Sequence, residues 1–94
     1  MAMYTPPHPG ILIQETINDF KLTIRAVANA LNVSPSTLQR VVSGASAVTP
    51  EMVIRLSVVI GSTPEMWLFM QDAYDLWQAQ SKVDVSKLHR LQLA

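Results

Sequence analysis

A hydroxyl-bearing residue stands directly before a proline at three places in the middle of this chain. The pairs are Ser34-Pro35, Thr49-Pro50 and Thr63-Pro64, and a glutamate follows each of the last two. The hydroxyl can cap a helix, and proline loses no hydrogen bond at the first helical position. The glutamate lies where the helix dipole favours negative charge. The pattern therefore predicts three helices that begin at these pairs.

Two further helices are predicted upstream of these three. Apolar residues follow Pro9 and Gly10 at helical spacing, and Thr23 can cap the second helix. The five predicted helices run from Pro9 to about Asp19, over Ile24–Leu31, from Ser34 to Gly44, from Thr49 to Gly61 and from Thr63 to about Gln80. Alternating apolar residues occur only in the last dozen positions, so we expect an all-α fold.

The length and composition suit one globular domain. The chain has 94 residues, of which 49% are hydrophobic and 15% charged, and this excludes an intrinsically disordered chain. Cysteine is absent, so disulfides and thiolate metal sites are excluded, and a reducing cytoplasm is expected. Neither a signal peptide nor an apolar run long enough to cross a bilayer is visible, so no membrane partner is expected.

We expect residues 1–80 to form the domain and residues 81–94 a C-terminal tail. The tail alternates apolar residues with Lys82, Lys87 and Arg90. An extended segment, a frayed helix and a segment ordered only by a partner are all compatible with that pattern.

Residues 24–43 have the spacing of a helix-turn-helix unit. Two short helices are joined by Asn32 and Val33, and Ala28 supplies a small residue where the two helices have to cross closely. The predicted buried contacts are Val27, Leu31, Val33, Leu38 and Val41. The alternative is an αα-hairpin of a helical bundle, with a solvated polar face.

The outer face of the third helix is polar and almost uncharged. Arginine and glutamine there can pair with guanine and adenine edges in the major groove, and small hydroxyls allow close approach to phosphate. Residues 20–50 carry three cations and no acid, a net charge of +3, whereas residues 51–80 carry one cation and four acids, a net charge of −3. The predicted DNA-binding residues are Lys21, Arg25, Ser34, Ser36, Thr37, Gln39, Arg40 and Ser43.

The run from Ile24 to Gly44 resembles the Cro/C1-type (Xre) helix-turn-helix. The opening Pro6–Gly10, the run 49–68 and the later run Tyr74–Ala79, which begins Tyr-Asp-Leu-Trp, are similar to HigA-type antitoxins. The resemblance covers roughly Pro6 to Ala79. Two departures are Asn32, where the family most often has glycine, and the segment 45–48, where relatives usually carry basic residues.

The resemblance implies a five-helix, lambda-repressor-like domain that forms a homodimer. It also implies binding to operator DNA, repression of the protein's own operon, and neutralisation of an RNA-cleaving, RelE-type toxin in a HigB/HigA module. The alternatives are a stand-alone Xre regulator without a toxin and a helical protein-interaction module without DNA affinity. The apolar, basic tail from Lys82 to Ala94 is one candidate contact for the toxin.

An enzymatic function is not expected. The two histidines, His8 and His89, lie at opposite ends of the chain, and no carboxylate pair, catalytic triad, phosphate loop or metal-ligand spacing occurs. We therefore predict no catalytic residue, cofactor or metal. His8, between two prolines, is expected to be a structural cap.

The fifth helix carries an unusually wide apolar arc. Six residues cluster around one direction at 100° per residue, with Trp67 and Tyr74 at the margin and Leu68 outside. These six are Met66, Phe69, Met70, Ala73, Leu76 and Trp77. We expect one edge to pack on the domain and the other on a second copy, with Trp67, Met70, Tyr74 and Trp77 in the dimer interface. The alternative is a helix buried entirely within its own domain.

Overall fold

The computed structural model describes residues 5–93, and the helices in this range follow the predicted order. The chain forms α1 (Pro9–Asp19), α2 (Ile24–Leu31), α3 (Pro35–Val42), α4 (Pro50–Val59) and α5 (Pro64–Gln80), and then a short 3-10 helix (Val85–Lys87). Residues 5–93 contain no strand, which confirms the all-α prediction. Within the same range, no helix has both the length and the apolar character that crossing a bilayer requires.

Side-chain caps fix the N-termini of the five helices. Each of four hydroxyls accepts a hydrogen bond from the backbone N–H three residues later, at 3.0–3.2 Å. These caps are Thr23, Ser34, Thr49 and Thr63. His8 caps α1 instead, because its Nδ1 accepts from the N–H of Gly10 at 2.9 Å. The predicted starts of the helices are therefore confirmed, and so is the structural role of His8.

The core lies where α1, α2 and α3 meet the α4–α5 pair. The largest side chain in it is Trp67, of which 1% is exposed, and its Nε1 donates to the carbonyl of Gly61 at 3.0 Å. The other buried apolar residues are Ile13, Ile17, Val27, Ala28, Leu31, Leu38, Val41, Val48, Met52, Val53 and Leu56.

The predicted apolar arc of α5 faces outward. Met66 is 51% exposed, Phe69 68% and Leu76 60%, whereas Leu68, which the prediction left outside the arc, packs partly against the core. The helix is instead held to the domain by Trp67 and Gln71, which are both buried. The placement of Trp67 in a dimer interface was therefore wrong, because the indole is enclosed within its own subunit and has almost no surface to offer a second copy.

A buried amide ties α5 to the loop that follows α3. Gln71 Oε1 accepts from the backbone N–H of Val48 at 2.9 Å, and Gln71 Nε2 donates to Asp75 Oδ1 at 2.9 Å. A buried polar group is tolerated when its hydrogen bonds are made, and here one donor and one acceptor are both used. The loop between α3 and α4 is thus anchored on α5.

The tail beyond Gln80 lies outside the core. Asp84 caps the short 3-10 helix by accepting from the N–H of Ser86 at 3.0 Å, and every residue from Ser81 to Leu93 is exposed. The described part of the tail is mostly irregular and contains one turn of 3-10 helix.

Gly10 lies where the start of α1 meets the end of α3. A Cβ atom at this position would collide with the backbone carbonyls of Val41 and Val42, which cannot move aside as a flexible side chain can. The absence of a side chain at Gly10 therefore allows α1 to contact the C-terminal end of α3 directly.

We expect Gly10→Ala to destabilise the protein by about 1–3 kcal/mol, the usual effect of overpacking. Helix propensity alone favours alanine by about 0.5–1 kcal/mol, so the sign of the change separates the two effects. Urea unfolding monitored by circular dichroism measures it. An unchanged or increased unfolding free energy would contradict the close approach.

Candidate nucleic-acid interface

The connection between α2 and α3 is a left-handed turn at Asn32. Its backbone has φ 58° and ψ 45°, and its N–H donates to the carbonyl of Asn29 at 3.1 Å. The N–H of Val33 then donates to Ala28 at 3.0 Å. Asparagine is one of the few residues other than glycine that adopts this conformation readily, so the departure from the family pattern preserves the turn.

The predicted internal contacts of the helix-turn-helix are confirmed. Ala28 and Leu38 are fully buried, and Val27, Leu31 and Val41 are almost fully buried. Val33, in the turn, packs against this cluster from one side and is half-buried. The two helices therefore present a fixed outer surface.

All eight predicted DNA-binding residues are exposed. Within residues 5–93, no hydrogen bond or ion pair holds the side chains of Gln39 and Arg40, which leaves them free to meet a ligand. Ser34 is different, because its hydroxyl caps α3 and donates to Thr37 Oγ1 at 2.8 Å. Its main role is therefore to start the helix that carries Ser36, Thr37, Gln39 and Arg40.

The two predicted cations outside α3 lie around the start of α2. Lys21 occupies the turn between α1 and α2 with φ 53°, and its N–H donates to the carbonyl of Asn18 at 3.3 Å. Arg25 belongs to the first turn of α2. Neither side chain forms an ion pair within the described part of the chain, and both are solvent-exposed.

Two of the segments that resemble HigA-type antitoxins, Pro6–Gly10 and Tyr74–Ala79, meet beside the end of α3. The His8 and Tyr74 rings pack edge to face with centroids 5.0 Å apart, and the His8 ring lies beside Gly44. Burial lowers the pKa of His8, against the opposing effects of the Asp75 charge and a hydrogen bond with the backbone of Ser46. The Pro-His-Pro-Gly segment thus packs on the C-terminal end of α3, and Tyr74 of α5 packs on its histidine.

Arg55 of α4 also belongs to this site, although the sequence did not indicate it. Its Nη1 donates to the carbonyl of Leu31 at 2.9 Å and to that of Asn32 at 3.3 Å. Its Nη2 lies 3.3 Å from Glu51 Oε2. The ion pair with Glu51 has the i, i+4 spacing common on helices, whereas no sequence pattern pointed to the contact with the turn.

This geometry is that of a DNA-binding helix-turn-helix, with two packed helices, a rigid turn, and an arginine and a glutamine free on the second helix. The chain belongs to the helix-turn-helix family HTH_3, whose profile matches residues 13–68.

Relatives extend the match over nearly the whole chain. The uncharacterized HTH-type transcriptional regulator YddM of Escherichia coli K12 is 48% identical over 91 residues, 97% of either chain. An addiction module antidote protein of the HigA family from Coxiella burnetii matches with a TM-score of 0.87 at 29% identity, over 95% of this chain and all of that chain. Antitoxin HigA of Pseudomonas aeruginosa, solved with the higBA promoter, matches with a TM-score of 0.80 at 30% identity, over 93% and 96% of the two chains. The predicted likeness to HigA antitoxins is confirmed.

If Arg40 pairs with a guanine edge, as its type and position predict, we expect Arg40→Ala to weaken binding to the specific operator by about 1–3 kcal/mol. Binding to random DNA should change little, and preference should relax at one base pair in each half-site. Fluorescence anisotropy with both DNAs measures this. The matched control is Arg90→Ala in the exposed tail. If Arg40 contacts only phosphate, affinity should instead fall equally on both DNAs.

We expect acid to destabilise the wild-type protein more than the His8→Asn variant. Asparagine keeps the cap on Gly10 but does not titrate. Because the pKa of folded His8 lies below its ordinary value, the unfolded chain binds the extra proton first. The stability that neutral His8 contributes is therefore complete above about pH 6.5 and declines below it, down to the folded pKa.

Urea midpoints of the two proteins between about pH 7.5 and 5.5 test this expectation. His89→Asn in the exposed tail is the control, and it should follow the wild type. Parallel pH profiles for the wild type and His8→Asn would show that His8 does not titrate differently on unfolding.

Proposed function

We propose that this protein is a cytoplasmic, homodimeric transcriptional repressor of the HigA type. It binds the operator of its own operon and neutralises an RNA-cleaving toxin of RelE type encoded beside it. The observation that carries the proposal is the free pair Gln39 and Arg40 on the second helix of a rigid helix-turn-helix. The likeness to the Pseudomonas HigA solved with its promoter supports it.

A stand-alone regulator is the second candidate. The Escherichia coli relative matches nearly the whole chain at 48% identity, and its name describes a transcriptional regulator without mention of a toxin. Both candidates bind DNA, so an electrophoretic shift with the upstream promoter region supports either one. Whether the neighbouring gene encodes a toxin distinguishes the two candidates.

The toxin is tested by expressing the neighbouring small gene alone and together with this protein. Growth arrest that this protein relieves supports the antitoxin, and a harmless neighbour supports the stand-alone regulator. A variant lacking Lys82–Ala94 tests the tail as the toxin contact. If that variant still relieves the arrest, the contact lies in the domain.

The proposed dimer reads two half-sites about 34 Å apart, one turn of DNA. Each subunit brings Lys21, Arg25 and Arg40 to the binding region. Two subunits neutralise at most about six phosphates, so log affinity falls with log salt at a slope no steeper than about −5. Discrimination between sequences then depends on Ser36, Thr37 and the Gln39–Arg40 pair.

The outer face of α5 is the proposed dimer interface. It exposes Phe69 by 68%, Leu76 by 60% and Trp77 by 39%. Met70 is half-buried, and Tyr74, also half-buried, already packs on His8, so these two contribute less surface than predicted. Large exposed apolar side chains on one helix are typical of an interface core.

We expect Phe69→Glu to convert the dimer into a folded monomer, because the charge would be buried without a partner in the interface. In the monomer the glutamate side chain stays in solvent, so the free energy of unfolding of the subunit should change little. Sedimentation velocity at micromolar concentration measures the state. Val58→Glu, at an 81% exposed position of α4, is the control and should remain a dimer. A wild-type protein that sediments as a monomer would contradict the proposed interface.

A further inference from the structure

Arg55 joins α4 to the helix-turn-helix at its turn. The carbonyls of Leu31 and Asn32, which it contacts, lie at the end of α2, where carbonyl groups have no partner within the helix. A cation is also favoured at this end by the helix dipole. Glu51, one turn earlier on α4, holds the same guanidinium from the other side at 3.3 Å. The guanidinium is therefore fixed between α4 and the turn.

An open groove runs between α3 and α4 beside this contact. Its volume is about 320 Å³, and its lining combines Thr37 and Arg40 of α3 and Glu51 and Arg55 of α4 with the apolar Val41 and Met52. Packing holds α3 mainly to α1 and α2. On the side of α4, the hydrogen bonds of Arg55 reach the turn that precedes α3.

We propose that Arg55 is a positioning residue for operator recognition. It fixes the left-handed turn at Asn32, and through the turn it sets the orientation of Gln39 and Arg40 on α3, without itself contacting DNA. This inference rests on the operator binding proposed above. It predicts that Arg55 contributes to the preference for the operator rather than to general attraction for DNA.

The test compares Arg55→Met, Arg55→Lys and Glu51→Gln with the wild type on operator and random DNA at several salt concentrations. Arg55→Met should weaken operator binding about tenfold or more, since charge-assisted hydrogen bonds are lost, and should leave random binding and the salt slope unchanged. Lysine keeps the charge but lacks the planar set of N–H donors of the guanidinium, so Arg55→Lys should recover part of the lost operator affinity. Glu51→Gln keeps both carbonyl contacts and should lose less than Arg55→Met.

Amide hydrogen exchange supplies a second, local measurement. The N–H of Val33 is bonded to Ala28 across the turn, and the N–H of Ile60 is bonded to Leu56 at the C-terminal end of α4. In Arg55→Met the Val33 amide should exchange faster, whereas the Ile60 amide should not. This pattern separates a loosened turn from a general loss of stability, and urea unfolding confirms that each variant is folded under the assay conditions.

Three results would overturn the inference. An equal loss on both DNAs with a shallower salt slope would make Arg55 a phosphate contact. Reduced stability with an unchanged ratio of operator to random affinity would make its role structural only, and wild-type exchange of Val33 would show that it does not hold the turn. A wild-type protein without operator preference would instead contradict the proposed function, and the Val33 amide would still decide whether Arg55 fixes the turn.

Discussion

At Asn32 the chain leaves α2 in a left-handed conformation, and two residues later Ser34 caps α3. This single reversal sets the angle at which the two helices cross. Ala28 and Leu38 can then be buried completely, and the remaining side chains of α3 are left at the surface. Because Arg55 reaches the same turn from α4, the second half of the domain supports it as well. The exposed polar face of α3 is thus a consequence of backbone geometry.

The starts of the helices and the helix-turn-helix were predictable from the sequence because their causes are local. A capping hydroxyl, a proline and an apolar repeat act within a few residues of one another. The burial of α5 was not predictable in this way. Helical spacing shows which residues share a face, but the side that meets the core depends on the other helices, and here the most apolar face is the exposed one.

Two polar contacts of the site were also beyond sequence reasoning. Gln71 bonds to Val48, 23 residues away, and Arg55 bonds to Leu31, 24 residues away. Neither residue type is rare on helix surfaces, so nothing in the local pattern distinguishes them from solvated side chains. His8 was correctly expected to be a cap, whereas its packing against Tyr74 depends on how α5 packs on the rest of the domain.

Because Gln71 is buried and hydrogen-bonded, the inner side of α5 tolerates fewer substitutions than its outer face. The amide oxygen of Gln71 has to accept from the loop after α3 while its nitrogen donates to Asp75. Glutamate offers no donor, lysine no acceptor and leucine neither, so few substitutions satisfy position 71. The outer face of the same helix makes no such demand. A lineage can therefore exchange the outward residues of α5, where the proposed partner surface lies, while the loop after α3 stays anchored to the inner side of the same helix.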